Sequence, residues 1–228
     1  MLHSWDVTSA EALAMQRRFA PYVRQAETIH LEQVHTVAGI DASYREIGRA
    51  VVAVFSFPDL QLIDQAVATR VSTFPYVPGL LSFREGPIVL AAMERLRSQP
   101  DLLLFDGQGY AHPRRFGLAS HMGLYLDRPS IGCAKSRLTG TYTEPGPHIG
   151  DRAPLVDAGE TIGMVLRTKP RTNPLFISTG YKVDLDTAVD VVLRCLRGYR
   201  LPEPTRIADR LSKAPSSDGD GAPSIHGS

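Results

Sequence analysis

Apolar and polar positions along the chain change period several times. Thr8-Ser-Ala-Glu11 has the spacing of a capping box, and Ala12, Leu13, Met15, Phe19 and Val23 then recur at near-helical intervals, which predicts an N-terminal helix. From Thr36 the period shortens. Residues 36–41, 50–56 and 60–67 are three strand-like runs separated by polar turns, an order that predicts an antiparallel meander. Residues 82–96 carry Phe83, Val89, Leu90, Met93 and Leu96 as an amphipathic helix, with Gly86-Pro87 expected in its first turn, where proline is tolerated. Residues 102–106 read as a buried strand, 117–125 as a helix and 130–134 as a short apolar strand. Residues 160–167 and 175–178 form a candidate hairpin, and 184–196 is a final strong helix.

Three leading strands followed by alternating helix and strand describe an α/β (α+β) domain with a mixed sheet covered on both faces. Beyond Ala214 the run Ala-Pro-Ser-Ser-Asp-Gly-Asp-Gly contains nothing to bury. The expected organisation is a single domain over 1–213 and a disordered Ser/Gly/Pro tail over 214–228, with no internal repeat.

Composition narrows the class. Of 228 residues, 43% are hydrophobic and 21% charged, as in compact globular domains, so a core needs neither disulfide nor structural metal. The 25 Lys+Arg against 24 Asp+Glu leave a net charge of +1, so any nucleic-acid contact must come from local basic patches. Cys133 and Cys195 each sit in an apolar stretch and read as buried thiols of a reduced cytosolic protein. The N-terminus lacks the apolar run of a signal peptide, and no segment approaches a membrane span. A cytoplasmic monomer with no membrane partner is expected.

Two carboxylates terminate two of the most apolar strands, Asp41 after 37–40 and Asp106 after 102–105. If those strands are neighbours, the pair converges and invites a divalent cation; alternatively, each is a strand-end turn or helix cap. Glu85 falls in the expected first turn of its helix, where the dipole alone favours an acid. Lys135, directly after an apolar strand, either meets a phosphate or is a solvated strand end. Phe74-Pro-Tyr-Val-Pro-Gly79 is a stiff loop with an aromatic tip, suited to entering a base stack or to capping the core. In residues 106–117, three glycines and His112, Arg114 and Arg115 surround the strand-end Asp106, a composition that lets backbone approach a ligand closely.

Taken together and in order, five runs resemble the endonuclease V family. They are Val37-Ala-Gly-Ile-Asp-Ala-Ser43, Phe74-Pro-Tyr-Val-Pro-Gly-Leu-Leu-Ser-Phe-Arg-Glu85, Asp106-Gly-Gln-Gly-Tyr-Ala-His-Pro-Arg-Arg-Phe-Gly-Leu-Ala-Ser-His-Met-Gly123, Ile131-Gly-Cys-Ala-Lys-Ser-Arg-Leu138 and Tyr199-Arg-Leu-Pro-Glu-Pro-Thr-Arg206. The resemblance covers nearly the whole chain to residue 213. It implies a ribonuclease H-like fold with a five-stranded-type mixed sheet flanked by helices. It further implies that Asp41, Asp106 and Glu85 hold Mg²⁺, for which Mn²⁺ substitutes. Lys135 would neutralise charge at the scissile phosphate, and Asp209 would be a further acidic contributor, its alternative being a surface carboxylate on the last helix.

By the same resemblance, Pro75, Tyr76, Val77 and Pro78 form a wedge that opens the duplex. Gly79, Leu80, Leu81, Gly107, Gly109, His112, Gly117 and Leu118 would surround the extruded base. A close-fitting wall can separate hypoxanthine from guanine, because hypoxanthine lacks the exocyclic amino group. Arg114, Arg115, Arg167, Lys169 and Arg171 are the expected phosphate contacts. Ser120 and His121 lie in the third run by position, but a helix-face His is more often a packing residue. The chain departs from the family pattern at Tyr181, where His is usual, at Tyr110, where a smaller residue is usual, and at Cys133, where Val is common.

The implied activity is repair of deaminated adenine in DNA: cleavage of the second phosphodiester 3′ to deoxyinosine, leaving 3′-hydroxyl and 5′-phosphate ends. Three readings compete with it. They are an endoribonuclease acting on inosine in RNA, a non-catalytic inosine or mismatch binder, and a junction or flap nuclease indifferent to the base.

Overall fold

The computed structural model describes residues 2–24, 28–44 and 47–214; the expected tail, apart from Ala214, lies outside the described residues. The chain begins with α1 (Ser9–Arg24), in which the capping box forms as expected: Glu11 accepts from the Thr8 amide at 2.7 Å, and Thr8 Oγ1 accepts from the Glu11 amide at 3.3 Å. A 3₁₀ turn leads into the meander β1 (Thr36–Tyr44), β2 (Gly48–Ser56) and β3 (Leu62–Arg70), whose strands pair antiparallel. β3 starts at Leu62 rather than 60 because Leu60 adopts φ +58° and turns the chain.

Next come α2 (Leu81–Met93), β4 (Leu102–Phe105), α3 (Leu118–Leu126) and β5 (Ser130–Ala134). α2 begins one residue earlier than expected, which corrects two readings. Gly86-Pro87 fall in the second turn, so Pro87 cannot donate to the helix, and Glu85 lies beyond the first turn, where the dipole no longer accounts for it. Burial of Ile88, Val89 and Ala92 against the sheet offsets the interior proline.

The sequence pattern missed β6 (Arg152–Asp157), which pairs with β7 (Glu160–Leu166) through a two-residue turn with Ala158 and Gly159 both at positive φ. Pro154 is tolerated because β6 is an edge strand. The expected pairing of β7 with β8 (Leu175–Tyr181) is present. α4 (Leu185–Arg194) is the expected apolar-faced helix, and a more polar α5 (Glu203–Ser212) follows it.

Among the described residues, eight strands form one mixed sheet in the order β3-β2-β1-β4-β5-β8-β7-β6. Its first five are the five-stranded arrangement expected, and the other three extend it. At the centre β1, β4 and β5 run parallel, so their carboxyl ends emerge on one side. One sheet face buries Val37, Phe55, Leu104 and Ile177 under α4 and α5; the other buries Ile40, Val52, Leu103 and Phe105 under α2 and α3. Helix α5 sits directly on β1 because residue 39 is glycine: a Cβ there would lie 2.0 Å from the Pro204 carbonyl carbon. Both cysteines are buried free thiols.

Candidate functional site

The parallel register pairs Ile40 with Phe105, and the next residues on the two strands are Asp41 and Asp106. Alternation along β1 puts Asp41 on the face of Val37 and Gly39, toward α5. Asp209 comes up from α5, and one carboxylate oxygen from each of Asp41, Asp106 and Asp209 lies within 4.8 Å of the others. Glu85 reaches the same end of the sheet from α2 on the opposite face. It is buried and feels the charges of Asp41 and Asp106, although it stands outside the trio. Lys135, the first residue after β5, bridges Asp106 Oδ2 and Asp209 Oδ1.

The negative charge is incompletely balanced. Burial, with the neighbouring Asp106, pushes the Asp41 carboxyl up to about 7, against the lowering pull of the Ser212 hydroxyl. Burial, then Asp41 and Asp106, holds Glu85 well above the usual carboxylate range. Burial opposes ionisation of Lys135, yet Asp106 and Asp209 hold its ammonium above the ordinary lysine value. Burial likewise opposes ionisation of Asp209, but hydrogen bonds from Lys135 and Lys213 keep it low.

A cavity of about 370 Å³ opens beside these groups, with Asp106 and Lys135 in its wall. Of the expected pocket residues, Gly79, Leu81, Gly107, His112, Gly117 and Leu118 line it, as do Tyr76, Val77 and Pro78 of the expected wedge. Tyr76 is 72% exposed at the loop tip, and Pro75 is exposed on the same loop. Two expectations are corrected. Leu80 turns inward against Phe74 and Phe83, and Gly109 faces the protein's own backbone, where a Cβ would lie 2.1 Å from the Thr179 carbonyl oxygen.

The cavity also has walls that the motif reading missed, namely Gln16, Gln108 and the segment Ser136, Arg137 and Leu138. The last three directly follow Lys135, and that adjacency was a usable signal. Gln16 interrupts the apolar stripe of α1 between Ala12 and Phe19, and it is 1% exposed. Its amide donates to the carbonyls of Gly79 at 2.9 Å and Phe116 at 3.1 Å, and its Oε1 accepts from Arg114 Nε. Gly79 O also accepts from Arg114 at 2.8 Å and His112 Nε2 at 3.0 Å, so the loop is pinned at its base. Burial, then the Arg114 charge, lowers His112 to about 4, and its Nδ1 accepts from the Arg114 amide at 3.1 Å.

Other expectations resolve differently. Arg115 is committed to Asp157 at 2.8 Å and Glu160 at 2.9 Å. Arg167 is only 8% exposed, and its guanidinium is held by Glu144 and the carbonyls of Gly146 and Thr172. These two side chains brace loops, whereas Lys169 and Arg171 are exposed. His121 is fully buried between Ser82 Oγ at 2.8 Å and His3 Nε2 at 2.6 Å, a packing role. Tyr181 pairs with Ser130 at the start of β5, the opposite end of the sheet from Lys135, so the departure there is remote from the site. Tyr110 lies outside the cavity with its hydroxyl on Glu160 at 2.7 Å.

A sequence profile described as Endonuclease V matches residues 17–210. The chain belongs to the endonuclease V family. The endonuclease V of Nostoc punctiforme is 50% identical over 215 residues, covering 93% of this chain and 97% of that one. The crystal structure of the Streptomyces avermitilis endonuclease V superposes with a TM-score of 0.85 at 40% identity, covering 92% and 93% of the two chains. The Ciona intestinalis endonuclease V, crystallised with a 23mer DNA containing an inosine followed by a ribo-adenosine, superposes with a TM-score of 0.77. It is 25% identical, covering 91% of this chain and 97% of that one. As a member of this family, the chain is a nuclease, a hydrolase of nucleic acid.

Proposed function

We propose that this nuclease recognises deoxyinosine in DNA, hydrolyses the second phosphodiester on its 3′ side and leaves 3′-hydroxyl and 5′-phosphate ends, initiating repair of deaminated adenine. The observation that carries the reading is the convergence of Asp41, Asp106 and Asp209 beside Lys135 at the mouth of a base-sized cavity. The single nuclease domain is residues 1–213. The reading takes the protein as a cytoplasmic monomer; among the described residues no helix is long and apolar enough to cross a membrane.

The acidic group fits a hard divalent cation such as Mg²⁺, with Mn²⁺ as a substitute. Its donors are all carboxylate oxygens, and oxygens on opposite sides of an ion bound at about 2.1 Å lie about 4.2 Å apart, inside the observed spread. Burial, then the neighbouring carboxylates, raises the proton affinities of Asp41 and Glu85, and a cation among them would offset that cost of ionisation. Asp41 and Asp106 would hold the ion, with Asp209 completing the set and Glu85 adding charge from α2. A cation held there would supply Lewis-acid stabilisation of the charge that develops at the phosphate and would make water a better nucleophile. Lys135 keeps its proton on Nζ and offsets charge developing on the phosphate oxygens. Tyr76 enters the stack, and the pinned loop holds the cavity open. His112 stays neutral and donates a hydrogen bond from Nε2 to Gly79 O, so its imidazole adds no charge to the cavity, whose close fit excludes the guanine amino group. Arg114 is held by Gln16 Oε1 and Gly79 O, and Lys169 and Arg171 are available to phosphates.

The test is incubation of purified protein, with Mg²⁺ and then EDTA, on end-labelled duplexes carrying one inosine or one guanine. A Mg²⁺-dependent cut at the second bond 3′ to inosine alone supports the reading; retention of intact strand under both conditions makes the protein a binder, and cutting at both bases makes it a shape-directed nuclease. A second reading, cleavage at inosine in RNA, is favoured by the ribo-adenosine that follows inosine in the Ciona complex. Matched DNA and RNA strands separate the two.

A further inference from the structure

We infer that Ser212 and Ser43 form a positioning device that sets the metal affinity of the acidic site by gripping the last turn of α5 against β1. The inference rests on the metal reading above and adds to it two residues that are not themselves metal ligands. Ser212 Oγ donates to Asp41 Oδ2, while the carbonyl of Ser212 accepts from Ser43 Oγ at 2.7 Å. Ser43 stands two positions after Asp41 on β1, so both side chains face α5. One helical residue is thus held twice by one strand, through its side chain and through its backbone. A third bond, from Arg49 Nε on β2 to the Leu211 carbonyl at 3.2 Å, reinforces the same turn.

Two consequences follow from this geometry. A hydroxyl on one carboxylate oxygen fixes the plane of the Asp41 carboxyl and leaves the other oxygen to bind a cation, the support that metal-ligating carboxylates ordinarily have. The grip also places Asp209, three residues before Ser212 on the same helix, against Asp41 and Asp106. The last carbonyls of a helix need partners, and glycine caps or water commonly serve; here the strand that carries Asp41 supplies one. Ser212 is 3% exposed, so its hydroxyl meets Asp41 away from bulk solvent.

The experiment titrates the intact protein with Mn²⁺ and follows the free ion by electron paramagnetic resonance, without substrate. Wild type is compared with Ser212→Ala, Ser212→Thr, Ser43→Ala and Asp41→Asn, with thermal midpoints as a control for folding. Ser212→Ala and Ser43→Ala are expected to weaken Mn²⁺ binding roughly tenfold. Ser212→Thr, which retains the hydroxyl, should restore most of the affinity, and saturating Mn²⁺ should recover cleavage by the alanine variants. A purely structural role would lower the midpoint without moving the affinity. Unchanged Mn²⁺ affinity in both alanine variants, while Asp41→Asn loses binding, overturns this inference and leaves the metal reading standing. If Asp41→Asn also binds Mn²⁺ like wild type, the metal reading fails and the inference falls with it.

Discussion

The amide of Asp106 donates to the carbonyl of Ile40 at 2.9 Å, just past the last paired residues of β1 and β4. That bond sets Asp106 beside Asp41, while β1 continues to Tyr44 without β4, so the crevice opens where the two strands part. Asp41→Asn or Asp106→Asn is expected to reduce cleavage at inosine by roughly 10²- to 10³-fold or more while DNA binding in EDTA persists. Single-turnover cleavage of an end-labelled duplex, paired with a binding titration, checks both halves; wild-type rates in either variant would remove these residues from the chemistry.

Tyr76 meets solvent at the tip of a loop whose base is pinned by three donors on Gly79 O. Tyr76→Ala should therefore cost roughly tenfold on inosine in a closed duplex, the size of one lost stacking contact. On an inosine placed in an unpaired bubble the loss should be small. Equal losses on both substrates would count against a wedge.

Arg167 points into the protein, and its partners are a carboxylate and three carbonyls. Arg167→Met is expected to lower the melting midpoint, since it leaves buried carbonyls unpaired. The salt dependence of DNA binding should not change, because no phosphate contact is lost. A shallower salt slope in the variant would return Arg167 to the nucleic-acid interface.

His112 carries a prediction about acid. Both ring nitrogens are already used, Nε2 donating to Gly79 O and Nδ1 accepting from the Arg114 amide, and a proton on Nδ1 would break the second bond. Its value falls from 6.5 to about 4 on folding, so across that window the unfolded chain binds more protons. Its contribution to stability is thus intact above pH 6.5, is lost as pH falls toward 4, and changes no further below. Urea midpoints of wild type and His112→Gln, measured from pH 7 to 4, should diverge by up to about 3 kcal/mol against wild type. A pH-independent difference would show that His112 protonates as readily folded as unfolded.

Much of the fold was legible because its central strands are continuous apolar runs bounded by polar turns, and β4 and β5 fall where periodicity puts them. β6 escaped because only alternate residues are buried and a proline sits in it. The start of α2 was misplaced by Gly86-Pro87, a pair that marks helix starts more often than second turns. Within the site, Asp106 and Lys135 directly follow apolar strands, and Asp41 stands where the apolar run of β1 ends although the strand itself continues to Tyr44; a sequence can carry that signature. Gln16, Ser212 and the commitment of Arg115 to Asp157 depend on contacts across 98, 171 and 42 positions, which no local pattern encodes.

The docking of α5 on β1 also bears on the order in which the site's residues are made. A growing chain that has emerged from the ribosome through β5 already contains Asp41, Glu85, Asp106 and Lys135, yet it lacks Asp209 and the serine that holds Asp41. The carboxylate trio of Asp41, Asp106 and Asp209 is complete only when the last helix is made, so the acidic site is the last part of the fold to acquire its residues.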